Sequence, residues 1–104
     1  MTGYIGVSAI FSASHRDLIR AELHGHPYRA TAWWPAEPQR DATALQAALA
    51  QTVKTAFDHK TLPDDLGTAE ALAGAIKHLL GNMGCVAVDI ARPLEGLYFE
   101  DARP

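Results

Sequence analysis

Tyr4-Ile5-Gly6-Val7-Ser8-Ala9-Ile10-Phe11-Ser12-Ala13-Ser14-His15 changes character at every second position. Ile5, Val7, Ala9, Phe11, Ala13 and His15 fall on one side of an extended chain, and the smaller Gly6, Ser8, Ser12 and Ser14 oppose them. That alternation belongs to a strand with one buried face. A second run begins at His24, where His24, His26, Tyr28, Ala30, Ala32 and Trp34 alternate with Arg29, Thr31 and Trp33 until Pro35 and Pro38 stop it. Two consecutive strands of matching pattern are expected to pair with their apolar faces on the same side.

Beyond them the period changes. Asp41 is placed as an N-cap, and Leu45, Ala48, Leu49, Thr52, Val53, Ala56 and Phe57 then recur at three- and four-residue spacing, predicting a helix that ends near Asp58. After a loop containing Pro63 and Gly67, Thr68 caps a second helix. Its Leu72, Ile76, Leu79 and Leu80 face inward, Lys77 and His78 lie near its end, and Gly81 terminates it. Cys85 to Ala91 reads as a third strand, and a turn from Pro93 to Gly96 leads to a short fourth strand, Leu97 to Glu100. The expected class is α+β: an antiparallel sheet in the order β-β-α-α-β-β, with two helices packed on one face.

The 104 residues, 48% of them hydrophobic, suffice for a single domain spanning 1–104. So small a core leaves much apolar surface uncovered, and a homo-oligomer is the expected remedy. Nine basic against twelve acidic side chains, with no cationic cluster, argue against nucleic acid as a partner. The apolar stretch Ile5 to Phe11 is interrupted by Gly6 and Ser8 and has no basic leader, so neither a secretory signal nor a membrane span is expected. A cytoplasmic location is expected, and a single cysteine, Cys85, agrees with a reducing compartment.

In a strand, residues two apart share a face, so His24 and His26 present both imidazoles on one side, with only Gly25 between them. If the first two strands pair, His15 arrives at the same end and on the same face. Three neutral histidines without a fourth protein ligand suit a catalytic zinc ion, which keeps one position for water or substrate. The competing reading is that they satisfy polar needs at a strand end. His78, on a helix, reads as solvated. Asp58-His59 follows the first helix directly; there a carboxylate orients an imidazole for proton transfer, or the two form a polar helix end.

These pieces resemble, over nearly the whole chain and in the same order, the 6-pyruvoyl-tetrahydropterin synthase / 6-carboxytetrahydropterin synthase family. They are Phe11-Ser12-Ala13-Ser14-His15, His24-Gly25-His26-Pro27-Tyr28, Phe57-Asp58-His59-Lys60-Thr61-Leu62, Gly67-Thr68-Ala69-Glu70, and Val86-Ala87-Val88-Asp89 before Tyr98. The resemblance implies a tunnelling fold that oligomerises into a barrel with active sites between subunits. It implies a zinc ion on His15, His24 and His26, and Asp58 with His59 as the proton-relay pair. The implied substrate is 7,8-dihydroneopterin triphosphate, a pterin, converted by a lyase reaction to a 6-pyruvoyl, 6-carboxy or 6-hydroxymethyl product. Asp89 stands where the family has a glutamate that anchors the pterin ring, and Thr68 and Glu70 match a region near the pterin. Both also fit a helix start, and capping is the favoured role for Thr68.

The family's catalytic cysteine has no counterpart, because Arg20 occupies its position. Ala21 stands where some members carry a glutamate, and Glu22, one residue further on, is the nearest carboxylate available as a base. Cys85 reads as a small core residue. Arg16, Arg20 and Lys60 are candidates to meet a triphosphate, or simply solvated cations. Three readings follow: an active zinc-dependent pterin lyase, a diverged zinc- and pterin-binding protein without lyase activity, and a metal-free module that only oligomerises.

Overall fold

A computed structural model describes residues 3–16 and 23–104, the side chains of 23 and 24 excepted. The first two runs form long strands, β1 (Tyr4–Arg16) and β2 (Leu23–Pro35). They pair antiparallel in unbroken register from Tyr4 opposite Pro35 to Arg16 opposite Leu23. This register puts Phe11 across from Tyr28 and Ala13 across from His26, so the two alternating patterns merge into one apolar face.

The helices are α1 (Ala42–Ala56) and α2 (Ala69–Leu79). Asp41 accepts from the Thr43 and Ala44 N–H groups at 3.0 and 3.3 Å, and Thr68 accepts from the Ala71 N–H at 3.1 Å. Each cap satisfies donors that the first helical turn leaves without partners. Both helices lie on the apolar face, where Leu45, Leu49, Val53, Leu72 and Ile76 pack with Phe11, Tyr28, Trp34, Val88 and Ile90 in one buried cluster. The α+β class is therefore as expected. Leu79 is not inward: the buried stripe runs through Leu72, Ala73, Ile76 and Leu80, which leaves Leu79 at its margin, 49% exposed.

Among the described residues the sheet has five strands and is mixed. A two-residue strand, β3 (Lys60–Thr61), pairs parallel with Ala13 and Ser14 of β1, and the order is β3-β1-β2-β4-β5. Two residues are too few to show alternation, so the sequence pattern gave only the four longer runs and a purely antiparallel sheet. β4 (Ala87–Arg92) starts two residues later than Cys85, after a left-handed Gly84 with φ of 89°. It pairs with β2 and with β5 (Leu97–Phe99).

Candidate metal centre

Because Ala13 opposes His26 and His15 opposes His24, the three histidine positions gather at one end of the β1–β2 pair, on the helix side of the sheet. The rings of His15 and His26 lie 4.9 Å apart between centroids, tilted by 35°. The Gly67 backbone closes on His15 from the helix side, where an added Cβ would stand 3.7 Å from Nδ1. The side chain of His24 lies outside the described residues, as does all of Glu22. Among the described residues no three histidine, cysteine or carboxylate side chains form a metal-holding group.

His26 also meets a group that the sequence reading missed. Its Nδ1 lies 2.8 Å from Oε1 of Glu95, whose Oε2 lies 2.6 Å from the Arg92 guanidinium. Burial alone would raise the Glu95 carboxyl, but His26 and Arg92 outweigh it and hold the group below its ordinary value. Tyr28 lies below, its ring edge-on to His26 at 6.0 Å. Burial pushes the Tyr28 phenol up despite the nearby Arg92. An imidazole with a carboxylate on Nδ1 is the usual environment of a zinc-ligating histidine, so His26 suits zinc in both residue type and setting, and His15 in residue type. The sequence signal for Glu95 was faint: Arg92 and Glu95 stand three apart around Pro93, and only the strand register brings them to His26.

Asp58 and His59 do pair, with Oδ2 of Asp58 3.1 Å from Nδ1 of His59. Asp58 also accepts from the Ser12 N–H at 2.9 Å. That bond is the main reason its carboxyl is held low, with His59 adding to the effect against burial. The His59 N–H donates to the Ser12 carbonyl at 2.6 Å. His59 sits at a left-handed φ of 57°, and its side chain is 83% exposed. A residue other than glycine in that region stores strain, which the two bonds to Ser12 offset. Ser12 belongs to the open face of the sheet, while His15 and His26 belong to the helix face. An open cavity of about 480 Å³ at the end of the sheet is bordered by both His26 and His59.

Asp89 is elsewhere. It opposes Thr31 on the open face, away from the face of His15 and His26. Its carboxylate accepts from the Trp33 indole N–H at 2.9 Å, from the Asp101 N–H at 2.9 Å and from the Arg103 guanidinium. Arg103 lies over the Trp33 ring, 4.6 Å from its centroid. The Trp33 ring in turn lies over Gly6, where a Cβ would come within 2.5 Å of it. Asp89 thus fastens the C-terminal segment across the sheet.

Thr68 caps α2 and, with Tyr28 and Arg92, borders a cavity of about 240 Å³. Glu70 stands in the first turn of α2, where a carboxylate favours the helix dipole, and borders a separate hollow with Lys77 and Asp101. Cys85 is buried in the core, as expected, and burial raises its thiol. His78 is exposed. Lys60 donates to the Thr55 carbonyl, and Arg16 lies 3.8 Å from Asp64. Compared with known proteins, the chain matches no family model and no curated sequence.

Proposed function

We propose that this chain is a zinc-dependent lyase of the pterin synthase type, acting on 7,8-dihydroneopterin triphosphate. In this reading it works in the cytoplasm as a tunnelling-fold homo-oligomer with active sites between subunits. The observation that carries the proposal is the meeting of His15 and His26, with rings 4.9 Å apart, at the strand end where the backbone register sets His24 opposite His15. A carboxylate on Nδ1 of His26 strengthens it. Zinc on these three histidines would supply a Lewis acid that polarises a side-chain oxygen of the substrate and makes the neighbouring C–H more acidic.

The chain's own residues move the proton. Asp58, held by the Ser12 N–H, accepts from Nδ1 of His59 and leaves Nε2 of that exposed ring to take up or return a proton. Glu22 is the carboxylate nearest in sequence to serve as a second base. Thr68 and Glu70, both at the start of α2, would contribute pterin contacts in this reading. Asp89 would accept from ring N–H groups once Arg103 moves aside. Because Asp89 and the histidines occupy opposite faces, a substrate touching both would lie between neighbouring subunits. The test is triphosphate release by zinc-loaded protein. His59→Ala is expected to reduce the rate about 100-fold or more, and an inert wild type would contradict the lyase reading.

One observation favours a second reading, a zinc- and pterin-binding protein without lyase activity: Arg20 stands at the position of the family's thiolate. That reading expects pterin binding without conversion, abolished by Asp89→Ala.

A further inference from the structure

We infer that Glu95 is a positioning residue for His26, fixing it as the Nδ1–H tautomer so that Nε2 is the nitrogen offered to a metal. The inference rests on reading His15, His24 and His26 as a zinc site. Its grounds are geometric. Pro93 opens a single 3₁₀ turn, Pro93–Glu95, closed by Gly96 in a left-handed conformation with φ of 68°. The turn carries Glu95 back beside Arg92, three residues earlier. Arg92 takes Oε2 at 2.6 Å and so aims Oε1 at Nδ1 of His26, 2.8 Å away.

An ionised carboxylate only accepts hydrogen bonds, so the proton in this contact belongs to the imidazole nitrogen. A neutral imidazole carries a single N–H, and a proton fixed on Nδ1 puts the lone pair on Nε2. The same bond limits ring rotation about χ2 and makes the ring a stronger donor to a metal. Partners of this kind change metal affinity without touching the ion, and losing one typically weakens binding about 10–100-fold.

The measurement is zinc affinity by chelator competition, with the absorption spectrum of the cobalt(II) form as a second readout, for wild type, Glu95→Ala, Glu95→Gln and Leu94→Ala. Leu94 is 83% exposed in the same turn and reports any general loosening of it. Glu95→Ala is expected to bind zinc about 10–100-fold more weakly and to shift the cobalt ligand-field bands. Glu95→Gln should fall between, since its amide oxygen still accepts but carries no charge, and Leu94→Ala should match wild type. Equal affinity in Glu95→Ala and wild type would overturn the role of Glu95 while leaving the metal site standing, as would equal losses in Glu95→Ala and Leu94→Ala. A wild type that binds no zinc would instead remove the metal reading itself, and the inference with it.

Discussion

Asp101 shows how single side chains tie this small domain together. Its Oδ2 accepts from Lys77 at 2.8 Å and from the Val88 N–H at 3.1 Å, joining α2, β4 and the C-terminal segment. Burial would raise this carboxyl, but the hydrogen bond from Lys77 and the Val88 N–H outweigh it, and the group is held below its ordinary value. A carboxyl depressed in the folded state adds stability that is fully present above the unfolded value, about 4. That contribution is lost as the pH falls through the lower folded value. Urea unfolding followed from pH 6 to pH 3 should therefore show a shallower loss of stability in Asp101→Asn than in wild type. Identical slopes would mean that the depressed carboxyl does not act through the folded state. At this scale the meeting of His15 and His26 was legible, because alternation sets each on the apolar face of its strand and pairing of the two strands brings those faces together. Glu95 and the Asp89–Arg103 contact were not, because both join residues distant along the chain, through turn geometry and strand register that no local pattern encodes.

The helices follow their local chemistry closely. Asp41 supplies a cap bonded to two N–H groups, with no acidic side chain in the first turn of α1 to share that task. Asp41→Ala should cost about 1 kcal/mol of stability, read by denaturant titration. A change near zero would show that solvent satisfies those donors equally well. The long strands were readable for the same reason as the helices: thirteen residues give a periodic pattern room to appear. β3 was not, since its two residues are strand only by virtue of the bonds that flank them, His59 N–H to Ser12 and Leu62 N–H to Ser14. Those bonds add a parallel edge to the sheet and fix the backbone of the Asp58–His59 pair against β1. The Asp-His motif was legible in the sequence, but its side of the sheet depended on this unread strand.

The whole molecule is elongated, 46 Å by 24 Å by 23 Å, with its helices on one face of the sheet. The sheet ends in two short edge strands, β3 and β5, and Ile10, Leu94 and Tyr98 present apolar surface outside the core. Unpaired edges and uncovered apolar side chains favour assembly with further copies, which the proposed barrel would provide. Asp89 and the face of His15 and His26 lie on opposite sides of one chain, so the proposed substrate would reach both only in such an assembly. Every part of the proposed chemistry nevertheless depends on the histidine end of β1 and β2. The most direct test is the metal content of purified protein, measured by plasma emission for wild type and His26→Ala. Wild type is expected to carry about one zinc per chain, held by the proposed three-histidine site, and a folded His26→Ala to lose it. A folded wild type that takes up no zinc would contradict it.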